Sequence, residues 1–304
     1  MANDIRVGII GFDTSHVPAF AKVLNDPQDQ WHVPGAVVTH GYASFSPDLQ
    51  ASYSRVDGFK RDVTEKYGVK LVDSVDALVA EVDAVLLESV DGRRHLAEAR
   101  PVIAAHKPLF IDKPLAANYD EAAEIMRLAA EAGSAVFSSS SLRFDANILA
   151  IKSDLEVGKV IACDAFSPAH LDPTNPGLFW YGVHGVEILY TFMGAGCQKL
   201  ACHSNDAYDL VLGEWSDGRI GTLRGIRAGA GNYGATVFGE KKVRQATYST
   251  TIPIYSQLLK EIVAFFKTGV APVPAAETLE IMAFMQAALV SAAEHREVKL
   301  AEVR

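Results

Sequence analysis

Cysteine is scarce: Cys163, Cys197 and Cys202 are the only three in 304 residues. So few, so irregularly spaced, exclude a disulfide framework and a CxxC-type zinc site, and they fit a reducing cytoplasm best. An excess of positive charge is also missing. Lys plus Arg number 28 against 37 Asp plus Glu, a formal charge of −9, which argues against a broad phosphate-binding surface and hence against nucleic acid as a partner. No run approaches the ~20 apolar residues that span a bilayer. The opening Met1-Ala2-Asn3-Asp4-Ile5-Arg6 lacks the basic and apolar segments of a signal peptide. A soluble, intracellular protein with no membrane partner is therefore expected. Low-complexity polar tracts are lacking as well, and 49% hydrophobic against 21% charged residues excludes a disordered chain, which could not offset its folding entropy. At ~150 residues per domain the length allows about two domains.

What is present alternates. Short apolar runs at Arg6 to Ile10, Ala36 to Ala43, Val69 to Val72, Ala84 to Leu87, Pro108 to Ile111 and Ala135 to Phe137 are separated by helical patterns. Those helices are predicted at Val17 to Leu24, Phe59 to Tyr67, Ser74 to Ala80, Arg93 to Ala105 and Tyr119 to Ala132. Strands without polar alternation, interleaved with helices, indicate a parallel sheet covered on both faces. After Ser138-Ser139-Ser140-Ser141 the texture changes. A helix over Phe144 to Leu155 leads into β-rich stretches at Val160 to Phe166, Lys199 to His203, Tyr208 to Trp215, Arg219 to Ile226 and Ala235 to Phe238. Asp217-Gly218 has hairpin-turn chemistry, so its flanking strands should be antiparallel. Helices return at Tyr255 to Lys267 and Ala276 to Glu294. The fold class is α/β: a doubly wound parallel sheet over 1–142, then an α/β domain with an open, mostly antiparallel sheet over 143–304.

The first strand runs into Gly11-Phe12-Asp13-Thr14-Ser15-His16 and then a helix, the local arrangement of a dinucleotide site. Glycines in such a turn let the backbone approach the pyrophosphate. Gly11 can be the first of G-x-G-x-x-G, but Asp13 and His16 stand at the second and third positions. Asp13 would bring a side chain and a negative charge to the point of closest phosphate approach. Either the loop takes another path, with the Thr14 and Ser15 hydroxyls on phosphate, or it no longer holds a dinucleotide in the usual way; Asp13 or Thr14 could also simply cap the helix. The second strand's end offers no acid before Asp48 to bind an adenosine ribose. Ser44 and Ser46 could bind the ribose or a 2′-phosphate, with Arg55 as charge partner, so NAD and NADP stay open.

At the fifth strand's end stands Ile111-Asp112-Lys113-Pro114-Leu115-Ala116. With Glu65-Lys66-Tyr67-Gly68-Val69, Asp73-Ser74-Val75-Asp76-Ala77-Leu78, Val82-Asp83-Ala84-Val85 and His95, this resembles the Gfo/Idh/MocA oxidoreductases over roughly residues 5 to 145. That family carries Glu-Lys-Pro where this chain has Asp112-Lys113-Pro114. The resemblance implies that Lys113 contacts both the nicotinamide ribose and the reacting carbon's hydroxyl, and that Asp112 and Pro114 flank the cofactor. A lysine after a buried strand suits this work, because its ammonium can hydrogen-bond a hydroxyl and relay a proton.

The family's Asp-x-x-x-His-x-x-Asp helix resembles Trp180-Tyr181-Gly182-Val183-His184-Gly185-Val186-Glu187. His184 matches the histidine and Glu187 conservatively replaces the last acid. At i and i+3 these two can meet on one helix face. Trp180 replaces the first acid, where an aromatic could stack on a sugar ring. Upstream, the proline-rich loop holding His170 and Asp172 suits a pocket lip, with His95 and Arg143 as further substrate contacts and Tyr233 as a weaker one. His170, Asp172, His184 and Glu187 could also be read as metal ligands, but no spacing enforces that and no metal is expected.

The resemblance implies an NAD(P)-dependent oxidoreductase acting on a sugar, cyclitol or related polyol, with Lys113 and His184 catalytic. Its cofactor, NAD or NADP, would be held through Gly11, Asp13, Thr14, Ser15, Ser44, Asp112, Lys113 and Pro114, with Asp13 weakening the binding. It also implies a site between the domains and a homodimer or homotetramer built on the C-terminal sheet. Asp13 and Trp180 depart from the pattern in different domains yet weaken the same reaction. They keep open a non-redox lyase, isomerase or epimerase, or a non-catalytic sugar-binding protein.

Overall fold

In the computed structural model, residues 4–304 are described; Met1, Ala2 and Asn3, which open the N-terminal segment and the first expected domain, lie outside them. Strand β1 (Ile5–Ile10) is followed by helix α1 (His16–Asn25), β2 (Ala36–Tyr42), a short α2 (Gln50–Tyr53), α3 (Val56–Tyr67), β3 (Lys70–Leu71), α4 (Val75–Glu81), β4 (Ala84–Leu87), α5 (His95–Ala104), β5 (Leu109–Asp112), α6 (Tyr119–Ala132) and β6 (Val136–Ser139). The six strands form one sheet in the order β3-β2-β1-β4-β5-β6. Its central pairs are parallel, β1 with β2 and β4, and β4 with β5. Val7, Ile9, Ile10 and all of β4 are buried, as expected where helices cover both faces. Local signals end the helices where the sequence places them: Gly68 closes α3 in the left-handed region at φ 67°, and the Ser74 hydroxyl caps α4 by accepting from Ala77 N–H.

The rest of the chain forms α7 (Ala146–Lys152), β7 (Val160–Pro168), α8 (Val183–Met193), β8 (Cys197–Ser204), β9 (Tyr208–Trp215), β10 (Ile220–Ile226), β11 (Gly234–Gly239), β12 (Val243–Thr247), α9 (Ile254–Thr268), α10 (Ala275–Glu294) and β13 (Val298–Lys299). Seven of these strands make a sheet ordered β12-β11-β7-β10-β9-β8-β13. Every pair in it is antiparallel except β7 with β10. The Asp217-Gly218 turn joins β9 to β10 with Gly218 at φ 83°. One sheet face is buried and one exposed, so β9 alternates strictly. Against the buried face lies α8, every residue of which is buried. Its Gly185 permits the approach, since a Cβ there would sit 2.5 Å from Leu223 Cδ1 and 2.6 Å from Ser167 Oγ.

The chain divides into two compact units: 1–116, 121–138 and 255–275 in the first, and 117–120, 139–254 and 276–304 in the second. The break therefore falls within the serine run rather than at 142, and most of α9, expected in the second domain, belongs to the first unit. There Phe265 packs edge-on against Phe137, with ring centroids 4.8 Å apart. Two edge strands, β12 and β13, escape the sequence reading because they are short and polar. One helix, α10, is long and apolar enough to cross a membrane, with 20 residues and a mean hydropathy of 1.2. Over half of that stretch is buried in the protein, and it carries Glu277 and Glu280, which pair with buried partners, as a core helix does.

Candidate active site

In the first unit, the loops leaving β1, β4 and β5 converge at the carboxyl end of the sheet, where the strand order reverses between β1 and β4 and open α/β sheets bind ligands. Gly11 makes the turn out of β1 at φ 84°, and a Cβ on it would lie 2.3 Å from the backbone N of Ser89. Only glycine fits there. The side chains that follow turn inward. Asp13 is fully buried; its Oδ1 accepts from Val90 N–H at 2.9 Å and its Oδ2 from the Ser52 hydroxyl at 2.5 Å. Burial raises its pKa above the usual carboxylate range, against the pull of those two donors. Asp13 thus ties the β1 loop to the β4 loop and to α2, and it does not cap α1. Thr14 is buried, its Oγ1 3.4 Å from His16 N. Ser15 is exposed at the N-cap and makes no side-chain capping bond.

His16 reaches across to the ends of β4 and β5. Its Nδ1 lies 3.3 Å from Glu88 Oε2 and 3.1 Å from Asp112 Oδ2, and Lys113 Nζ lies 3.3 Å from that same Asp112 oxygen. His16, Glu88 and Asp112 are all buried. Burial opposes charge on the His16 ring, yet the Asp112 and Glu88 carboxylates outweigh it and lift its pKa to about 9. Burial, together with the charge of Asp112, pushes Glu88 up to about 7 against the pull of His16. Burial acts on Asp112 too, but His16 and Lys113 hold its carboxyl well below the ordinary range. Lys113 itself keeps its side chain 12% exposed, and its peptide bond to Pro114 is cis.

The other first-unit candidates serve the scaffold. Ser44 Oγ faces Ser89 Oγ at 3.4 Å, and Ser46 Oγ donates to Asp91 at 2.7 Å; both serines are buried. Arg55 Nε donates to the Ala51 carbonyl. His95 opens α5 as expected, but it is buried with Nε2 2.7 Å from the Ser89 carbonyl and Nδ1 3.2 Å from that of Leu115. This binds the β4 loop to the β5 loop and commits both ring nitrogens to backbone.

In the second unit, His184 and Glu187 on α8 both reach Ser140. The Ser140 hydroxyl lies 2.7 Å from His184 Nδ1, and its backbone N–H donates to Glu187 Oε1 at 3.2 Å. Glu187 Oε2 accepts from Arg143 Nε at 2.7 Å, while Arg143 Nη1 donates to Glu277 at 2.7 Å. Glu187 and Arg143, expected to touch substrate, are instead a buried ion pair that anchors the segment orienting His184. Around His184 stands an aromatic group: Tyr181 at 5.2 Å and Tyr233 at 5.7 Å between ring centroids, both edge-on, with Tyr233 O–H donating to Tyr181 Oη at 2.9 Å. His170, exposed, lies edge-on to Tyr181 at 5.4 Å. Asp172 is occupied in its own loop, accepting from Thr174 N–H and hydroxyl. Trp180 is half-buried and precedes α8 rather than lying on it. Among the described residues, the group of three or more histidine, cysteine and carboxylate side chains whose ligand atoms cluster is His16, Glu88 and Asp112. The quartet of His170, Asp172, His184 and Glu187 does not assemble.

Residues 5–140 match the family model described as an oxidoreductase family with an NAD-binding Rossmann fold, GFO_IDH_MocA. This segment belongs to the Gfo/Idh/MocA oxidoreductases. The whole chain is similar in fold to solved structures of low sequence identity. One is a probable dehydrogenase from Thermotoga maritima, 20% identical, TM-score 0.81, covering 99% of this chain and 100% of that one. Another is myo-inositol 2-dehydrogenase from Lactobacillus plantarum, 14% identical, TM-score 0.78, covering 98% and 99%. A third is scyllo-inositol dehydrogenase from Lactobacillus casei with bound NAD(H) and scyllo-inositol, 15% identical, TM-score 0.78, covering 98% and 100%.

The Gfo/Idh/MocA frame for a nicotinamide dinucleotide is present in β1, the Gly11 turn and the α1 N-terminus, with Ser15 the accessible hydroxyl. The open pyrophosphate cradle is altered, because Asp13 and His16 occupy the second and third glycine positions and bond to the β4 loop. Sequence reasoning missed Glu88, Ser140, Tyr181 and Glu277. Glu88 had a signal: it is an acid directly after a four-residue buried strand, at the carboxyl end where parallel sheets place their chemistry.

Proposed function

We propose that the protein is an oxidoreductase acting on a carbinol of a sugar, cyclitol or related polyol, with the Lys113 ammonium hydrogen-bonding the reacting hydroxyl and relaying its proton, or His184 receiving that proton. The observation that carries this reading is Lys113: a lysine at the end of a buried parallel strand, held 3.3 Å from an ionised Asp112, in the segment that matches an oxidoreductase family. A bound nicotinamide, NAD or NADP, supplies the hydride acceptor. In the second unit, Ser140 fixes the tilt of the His184 ring, and the Tyr181, Tyr233 and His170 rings offer both stacking faces and polar edges, the chemistry that sugar hydroxyls and C–H faces require. The inositol substrate of the Lactobacillus casei relative supports the polyol assignment. Outward Leu212 and Ile220, 47% and 46% exposed on the second sheet, support self-association through that face, which light scattering on wild type and Leu212→Glu would measure.

The test is a panel of cyclitols, aldoses and alditols with NAD+ and NADP+, followed by nicotinamide absorbance. Turnover that disappears in Lys113→Met supports the proposal, and no reduction of either cofactor with any polyol refutes it. A second reading, non-redox proton transfer on the same kind of substrate, is favoured by the inward bonds of Asp13 and His16, which fill the cradle. Product formation or solvent deuterium uptake by NMR, without nicotinamide reduction, would establish it.

A further inference from the structure

The His16, Glu88 and Asp112 cluster is more than a buried ion pair. One imidazole nitrogen, from the first residue of α1, and two carboxylate oxygens, from the ends of β4 and β5, lie within 4.8 Å of one another with all three residues buried. The His16 distances to the two acids, 3.1 and 3.3 Å, match the edge of a tetrahedron around a cation with bonds of about 2.0–2.1 Å, which is about 3.3–3.4 Å. A second feature points the same way. Glu88 Oε1 is buried and has no hydrogen-bond partner. A buried carboxylate oxygen without a donor is costly, and an ion is among the few things that satisfy it. Glu88 and Asp112 bring two negative charges against the positive charges of His16 and Lys113, so a divalent cation would take the place of the His16 proton and bind the ring in its neutral form.

We propose that His16, Glu88 and Asp112 bind one first-row divalent cation of the zinc class, with an exchangeable water completing the shell. Mixed imidazole and carboxylate donors suit Zn2+ and Co2+ and disfavour the all-oxygen shells of Mg2+ and Ca2+. The cation would lock the loops after β1, β4 and β5 together, one residue from Lys113. This inference stands on the geometry of one unit and does not depend on the redox reading.

Full-length, tag-free protein, stripped with a chelator and desalted, is titrated with Zn2+ by calorimetry and with Co2+ by visible absorption. The expected result is one ion per chain, with the intense d–d bands of low-coordinate Co2+. Glu88→Gln and His16→Asn, chosen to preserve size and checked for folding by circular dichroism, should each weaken binding at least about tenfold. Glu277→Gln, a carboxylate change in the other unit, should leave it unchanged. Failure of stripped wild type to bind either ion, or binding that persists undiminished in Glu88→Gln and His16→Asn, overturns the proposal whatever the catalytic assays show.

Discussion

Asp13 offers the most direct test of how the altered glycine turn works. In Asp13→Ala the Val90 N–H, part-buried, and the Ser52 hydroxyl, fully buried, bonded to the carboxylate at 2.9 and 2.5 Å, lose their acceptor. Each orphaned donor costs about 1–3 kcal/mol. Removing a carboxylate that burial already disfavours returns part of this, so a net loss of about 2–3 kcal/mol is expected in urea denaturation. Asp13→Asn keeps the Val90 bond through its amide oxygen and can offer its NH2 to Ser52 Oγ, so it should stay within about 1 kcal/mol of wild type. The pH dependence gives the sign. The Asp13 pKa is raised in the folded state, so the folded protein holds this proton more tightly than the unfolded chain. The related stability is present in full below the unfolded value, about 3.9, and is lost as pH rises through the folded value. Wild type should therefore lose ground to Asp13→Asn as pH rises from about 4 through the raised folded value. A difference that is flat or grows with pH would refute the argument, and so would an Asp13→Ala cost below about 0.5 kcal/mol. The same Asn variant, lacking the charge near the turn, should bind NAD+ more tightly by roughly fivefold, the size of a screened interaction of about 1 kcal/mol. Unchanged affinity would mean that the dinucleotide does not approach this loop.

Other perturbations probe separate parts of the molecule. Lys113→Met removes one of the two cations beside buried Asp112, so it should lower the melting temperature as well as lower kcat by about 10²- to 10⁴-fold, the usual worth of a positioned proton-transfer group; His184→Gln should lower kcat in the same direction. Arg143→Met leaves Glu187 and Glu277 facing each other without their cation and should cost about 3–5 kcal/mol, read by chemical denaturation. Adding Glu187→Gln to it should recover part of that loss. Gly11→Ala forces a Cβ to within 2.3 Å of the Ser89 backbone at φ 84° and should cost more than 2 kcal/mol, roughly, since neither the strain nor a backbone clash can relax through a rotamer.

The parallel sheet was legible because its strands are buried on both faces and carry unbroken apolar runs, so β1 and β4 fall within a residue of where the sequence puts them; the antiparallel β9–β10 hairpin does so too, through its Asp217-Gly218 turn. The edge strands β12 and β13 were not, because an edge strand's polar alternation resembles loop composition. Helix α9 looked like a neighbour of α10 in sequence, yet it packs with the first unit. Its amphipathic pattern declares that one face is buried but not against what. The site was legible in part for a similar reason. Lys113 and His184 carry motif context, whereas Ser140 and Glu277 matter through contacts formed with residues 44 and 134 positions away, which no local pattern encodes.

At the glycine turn, the sequence departure and the structural gain have one physical cause. Read as a motif, Asp13 and His16 are losses, because a side chain stands where a phosphate needs bare backbone. In the fold, Asp13 joins the β1 loop to Val90 and Ser52, and His16 joins it to Glu88 and Asp112. Bonds made by the protein itself thus replace contacts that an open cradle would leave for a ligand. The two substitutions belong with Glu88, the acid after β4, because an imidazole with no acid beside it would have nothing to bind in that crevice. Stripping His16 alone back to glycine would therefore not recover an ordinary dinucleotide turn: it would leave Glu88 and Asp112 as two buried carboxylates with only Lys113 between them and a phosphate. The altered residues form a set, and the chemistry of this loop follows from all three acids and the histidine acting together.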